Sequence, residues 1–345
     1  MRKLLCIAGT VALAACSTSK EATGIENESN IDYSTKYAET ITAKDLGKHL
    51  FVYASDEFEG RDTGEPGQKK AVKYLQDFYI KSGIKSPISG GKYFQEIPSQ
   101  FFTKNVFGRK ALKDSENVLA FIEGTEKPEE IIVISAHLDH IGTKNGKIYN
   151  GADDDGSGTV AVLEIAEAFK KASDAGKGPK RSILFLHVTG EEKGLLGSKY
   201  YTENPIFPLA NTVTNLNIDM IGRVDDRHKG NPNYVYLIGS DKLSSELHNI
   251  SEAINTKYTK IDLDYKYNDE NDPNRFYYRS DHYNFAKHNI PIIFYFNGTH
   301  ADYHKATDTP DKINYEMLEN RTRLVFHTAW EIANRAERIK VDKAQ

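Results

Sequence analysis

Residues 131–157 constrain the fold of this chain more than any other stretch. Ile131-Ile-Val-Ile reads as a buried strand that breaks where His137 and Asp139 appear. After a turn the chain enters Gly151-Ala-Asp-Asp-Asp-Gly-Ser, which opens a helix. A histidine and several carboxylates therefore fall at the carboxyl end of a strand and at the next helix N-terminus, where open α/β sheets bind ligands. That placement makes a metal cradle if other strand ends supply the missing ligands.

The remaining pattern alternates strand and helix. A helix is expected over 157–171, with Val160, Leu163, Ala166 and Phe169 inward. Ser182-Ile-Leu-Phe-Leu-His-Val is a continuous apolar run, as expected of a central parallel strand buried on both faces. Further strands are expected at 213–218, 234–238 and 291–296. Further helices are expected at 195–201, 244–255 and 315–339. Upstream, 38–55 and 68–82 carry amphipathic stripes, and Gly83 stands at the expected C-cap position. Short strands follow near 90–97 and 117–122. The expected fold class is α/β, with a mostly parallel central sheet flanked by helices. It forms a single domain over 38–345 with no inserted second domain.

The N-terminus stands apart from this pattern. Arg2 and Lys3 precede a short apolar run ending in Leu13-Ala-Ala-Cys16, so 1–15 reads as a signal peptide, too short to span a membrane. Leu-Ala-Ala-Cys resembles the lipobox of bacterial lipoproteins. That resemblance implies lipid on Cys16 and residence in the cell envelope, in the periplasm or at the outer membrane; the polar stretch that follows, without apolar periodicity, reads as a flexible tether over 16–37. The chain has two cysteines, Cys6 and Cys16. Neither remains as a free thiol in a lipidated mature chain, so any metal must be held by His, Asp and Glu. The net charge of −4 includes no basic block, which argues against a nucleic-acid partner.

Four acidic or histidine-bearing motifs recur at strand ends: Ala136-His-Leu-Asp-His, Gly151-Ala-Asp-Asp-Asp-Gly-Ser-Gly, Thr189-Gly-Glu-Glu-Lys-Gly-Leu-Leu-Gly and Asn217-Ile-Asp-Met-Ile-Gly. Ser280-Asp-His-Tyr and Tyr303-His-Lys-Ala-Thr-Asp-Thr-Pro-Asp follow. Singly, each has an ordinary explanation as a solvated loop or helix cap. Asp219 is harder to dismiss, because it lies within an apolar run where an unpaired carboxylate is costly. Jointly, they supply a bridging carboxylate and further His and carboxylate ligands for a pair of divalent ions about 3.5–4 Å apart. Such a cluster of carboxylates would repel itself strongly without cations.

In motif order and in the closing Tyr303-His-Lys-Ala-Thr-Asp-Thr-Pro, the chain resembles the M28 family of co-catalytic zinc exopeptidases over roughly 46–339. The resemblance implies the zinc-dependent exopeptidase (phosphorylase/hydrolase-like) fold and a pair of Zn2+ ions. It also implies aminopeptidase activity on peptide substrates. His137 and Asp219 would bind one zinc, Glu192 and His304 the other, and Asp154 would bridge them. The peptide after Asp154 would be cis. Glu191 would be the general base, and Asp139 would accept the second ring N–H of His137. Tyr303 is the first candidate for the oxyanion donor, with Tyr277 or Tyr278 next.

Three alternatives share this fold. A glutaminyl-cyclase-like acyltransferase typically has Trp before the closing histidine, so Tyr303 and Gly194-Leu-Leu-Gly favour hydrolysis. A non-catalytic receptor would have lost ligands that are present here. A carboxypeptidase needs cations for a terminal carboxylate, for which Arg223, Arg275 and Arg279 lie near motif loops. Side-chain preference is expected to come from variable loops such as 266–279.

Overall fold

The computed structural model describes residues 31–105 and 112–343, and every element below belongs to the unit Tyr33–Gln345. The expected signal segment, Cys16 and most of the expected tether lie outside the described residues. The tether's expected end at 37 is corrected. Tyr33–Ala38 (α1) is helical and buries Tyr37, whose ring packs 5.9 Å from that of Trp330. The helix expected from Ala38 starts later, because Thr42 caps Ala43–Tyr53 (α2) by accepting from the backbone N–H of Asp45.

Pro66–Lys81 (α3) begins with proline in its first turn, where the missing N–H costs nothing. Phe94–Ile97 (β1), Ser99–Asn105 (α4) and Ser115–Ile122 (β2) lead to Lys127–His137 (β3). A hairpin of Gly142–Lys144 (β4) and Lys147–Tyr149 (β5) precedes Gly158–Asp174 (α5). The chain continues through Arg181–Val188 (β6), Leu196–Glu203 (α6), Thr212–Ile218 (β7), Tyr234–Ile238 (β8) and Ser245–Ile254 (α7). Asp262–Asp264 (β9), His282–Ala286 (α8), Ile292–Phe296 (β10) and Tyr315–Asn334 (α9) complete it. The closing helix stops short of 339, because Arg335 is extended and Arg338 turns back to the carbonyls of Ala210 and Thr212.

The main sheet has the order β1-β2-β6-β3-β7-β10-β8-β9. Its middle strands β6, β3, β7 and β10 run parallel, while β2 and β8 join them antiparallel on either side. Successive residues of each strand face opposite sides. Ile132 and Ile134 meet the layer formed by α1, α2, α3, α5, α7 and α9, whereas Ile131 and Val133 meet α6 and α8. Both faces are thereby covered, which explains the unbroken apolar run of β6.

Strand order reverses at β3. The next parallel strand, β6, lies on one side of it, and β7 lies on the other. A crevice therefore opens at the carboxyl ends of these strands.

Candidate metal centre

Each of the four parallel strands delivers one part of the site at its carboxyl end. His137 ends β3, Glu191 and Glu192 follow β6, Asp219 follows β7 directly, and His304 lies in the loop beyond β10. Asp154 sits in the turn that leads into α5. Gly151 makes that turn possible. It holds φ at 53°, and a Cβ there would fall 2.2 Å from the Asp154 carbonyl oxygen.

Asp154 stands at the centre. Its Oδ1 lies 3.1 Å from His137 Nε2 and its Oδ2 lies 3.0 Å from His304 Nε2. His137 Nε2 is also 3.5 Å from Asp219 Oδ1, and His304 Nε2 is 3.4 Å from Glu192 Oε2. Two sets of side chains thus share one carboxylate, and the peptide after it is cis.

Its neighbours in the Asp run serve the backbone. Asp155 lies close to His137 and Asp219, but its oxygens accept from the N–H groups of His137, Gly158 and Met220. It latches β3 to the start of α5 and to the end of β7. Asp153 accepts from Gly222 N–H and Asn297 Nδ2. Asp308 accepts the N–H groups of Asp153 and Asp154. Only Asp154 keeps both oxygens turned to the histidines.

The expected bond between the Asp139 carboxylate and His137 is corrected. His137 Nδ1 lies 3.0 Å from the backbone carbonyl of Asp139 and 3.9 Å from its carboxylate. That carboxylate is already engaged. It accepts from Thr63 Oγ1 at 2.7 Å and from the Glu191 N–H at 3.1 Å. Asp139 therefore holds the loop that carries Glu191.

Arg61 gives Glu59-Gly-Arg-Asp-Thr-Gly a specific task. It is 1% exposed, and its guanidinium donates to the carbonyls of Leu138, Tyr53, Asn150 and Gly151. One side chain thereby ties the His137 strand end to the Asp154 turn. Replacing Arg61 with Met strands these carbonyls. The expected cost is about 3 kcal/mol of stability together with weakened zinc binding, read by thermal melting and metal titration. Unchanged values of both would remove Arg61 from the site.

His140 was not singled out from the sequence, although it directly follows Asp139. It is fully buried, and its Nδ1 lies 2.8 Å from Glu192 Oε1 without hydrogen-bond geometry. Ser280 is a second such residue. Its Oγ donates to Asp219 Oδ2 at 2.6 Å and accepts from Asn217 Nδ2.

A cavity of about 530 Å³ opens over this cluster. Asp154, Glu191, Glu192 and Asp219 line its acidic side, and Met220, Phe276, Phe294 and Phe296 its apolar side. Desolvation, then the charges of Asp219, Asp281 and Glu192, push the Glu191 carboxyl well above its usual range. Burial disfavours charge on His137, but Asp219 and Asp154 outweigh it and raise its pKa. Tyr303 lies over the His304 ring at 3.9 Å and lines the cavity, as does Tyr278. Tyr277 does not. It is buried against Gly239.

These donors fit zinc. They are imidazole nitrogens and carboxylate oxygens, largely buried, with no thiol among them. His140 Nδ1 and Nε2 and Glu192 Oε1 are buried without a hydrogen-bond partner, as groups arranged around a cation would be.

The family model for peptidase family M28 matches residues 117–329. The leupeptin-inactivating enzyme 1 of Streptomyces exfoliatus is 32% identical over 264 residues, covering 76% of this chain and 50% of its own length. A probable leucine aminopeptidase of Arthroderma otae is 30% identical over 63% of this chain and 57% of its own. The chain spans about half the length of these relatives and less of others. Among solved structures, the LapA aminopeptidase of Legionella pneumophila superposes with a TM-score of 0.68 at 21% identity, covering 93% of this chain and 79% of its own. BSAP, a zinc aminopeptidase from Bacillus subtilis, gives 0.64 at 17% identity, covering 88% and 98%.

Proposed function

Since the chain belongs to peptidase family M28, we propose that it is an aminopeptidase using two zinc ions to remove N-terminal residues from peptides. The observation that carries this reading is Asp154, whose two oxygens face two separate histidine–carboxylate sets. His137, Asp219 and Asp154 would hold one ion, and His304, Glu192 and Asp154 the other. His140 stands beside the second set. Zinc there would acidify a water and polarise the scissile carbonyl.

The remaining chemistry belongs to the chain's own residues. Glu191, held by its backbone bond to Asp139, takes a proton from the attacking water and delivers it to the leaving amine. Tyr303 donates to the oxygen that becomes negative in the transition state. The apolar side of the cavity receives the side chain of the N-terminal residue.

Product analysis tests the polarity. A tetrapeptide with a free N-terminus and an amidated C-terminus should lose its first residue, and its N-acetylated counterpart should survive. Release of C-terminal residues, or pyroglutamate formation from an N-terminal Gln peptide, would point to the carboxypeptidase or cyclase chemistry instead.

We also propose that lipid on Cys16 tethers the enzyme to a membrane of the cell envelope, a reading supported by Leu13-Ala-Ala-Cys16. The Cys16→Ser variant should move from the membrane pellet to the soluble fraction. Unchanged partitioning would rule the anchor out.

A further inference from the structure

The proposed chemistry leaves one charged group of the cavity without a task. Arg279 lines the cavity beside Tyr303. Other cations near the motif loops are occupied. Lys193 is held by Asp62 at 2.6 Å, Arg223 by Asp302 at 2.9 Å, and Arg61 by its four carbonyls. Arg275 lies over the Tyr278 ring and does not line the cavity. Arg279 is exposed to the cavity, and among the described residues no carboxylate pairs with it.

Its position is nevertheless fixed. The guanidinium rests on the Phe276 ring, 4.8 Å from the centroid, and its Nη2 lies 3.5 Å from Tyr303 Oη. A guanidinium laid on an aromatic face keeps its in-plane N–H groups accessible; one N–H of Nη2 is directed at Tyr303, and the remaining ones match a carboxylate. Binding of divalent cations would offset the charge of the acidic cluster and leave Arg279 as an unbalanced positive charge.

We propose that Arg279 binds a carboxylate of the substrate, carried on one of the two residues joined by the scissile bond. Tyr303 fixes the location. If its hydroxyl meets the scissile carbonyl, a group within 3.5 Å of it reaches the residue on either side of that bond. The carboxylate is either an acidic side chain or the terminal carboxylate of a dipeptide. The enzyme would thus favour acidic or very short peptides. This inference rests on the peptidase reading above.

Three substrate pairs decide it: Leu-Leu against Leu-Leu-amide, Glu-Leu-amide against Gln-Leu-amide, and Leu-Glu-amide against Leu-Gln-amide. In the wild type at least one pair should favour the carboxylate member by about tenfold in kcat/KM, and which pair does so identifies the source. The Arg279→Gln variant should bring that ratio close to one, and Arg279→Lys should keep part of it. The ratio cancels any loss common to both members, including loss of the contact with Tyr303. Ratios near one in the wild type, or a ratio that survives in Arg279→Gln, would overturn the proposal. Failure to cleave any substrate would overturn the peptidase reading instead. Calorimetric binding of the same pairs to zinc-loaded Glu191→Gln, with and without Arg279→Gln, then decides the role of Arg279 separately.

Discussion

Glu191→Gln should lower kcat by about three orders of magnitude, the scale on which a positioned acid–base group contributes, while zinc content and melting temperature stay at wild-type values. Glu191 lines the cavity beside the cluster, and its backbone N–H is tied to Asp139. In this account it carries a proton and binds no metal. The amide keeps the shape and loses the basicity. Steady-state kinetics, elemental analysis and melting on the same sample separate these effects. A variant that retained a tenth of wild-type kcat would place the base elsewhere, and one that lost zinc would make Glu191 a ligand.

Asp154→Asn should abolish activity and the stabilisation that zinc confers. At a free metal concentration of about 100 times Kd, binding stabilises a fold by about 2.7 kcal/mol, which is several degrees of melting temperature for a chain of this size. The neighbouring carboxylate supplies the control. Asp155 accepts three backbone N–H groups, so Asp155→Asn should cost about 1–3 kcal/mol of stability with or without zinc. Melting curves of both variants with and without zinc distinguish ligand from latch. A zinc-dependent shift retained in Asp154→Asn would move the bridging role to its neighbour.

The elements legible in the sequence were those whose signal is local. The apolar run of β6 and the His137 and Asp219 strand ends sit where their patterns placed them. The break at Thr42 is not legible because a stripe of apolar residues crosses it, and only the capping bond to Asp45 marks the start of α2 there. Thr63 and Asp139 are 76 positions apart and Arg61 and Gly151 are 90, so no local pattern could pair them. The same distance in sequence explains the Asp139 correction. Its carboxylate had an obvious partner two residues away, but the fold brought it two donors distant in sequence, the Thr63 hydroxyl and the Glu191 N–H. His140 has no signal of its own in the sequence beyond following His137 in the same motif, and its role shows only in its approach to Glu192.

The most direct test of the central claim couples metal content to turnover. The purified chain is analysed for zinc and assayed on amino-acid p-nitroanilides and on their N-acetylated forms, before and after chelation. Two zinc ions per chain are expected, with cleavage of the free amines alone and loss of that cleavage on chelation, recovered when zinc is restored. A chain that binds no zinc, or that cleaves equally well after chelation, would contradict it.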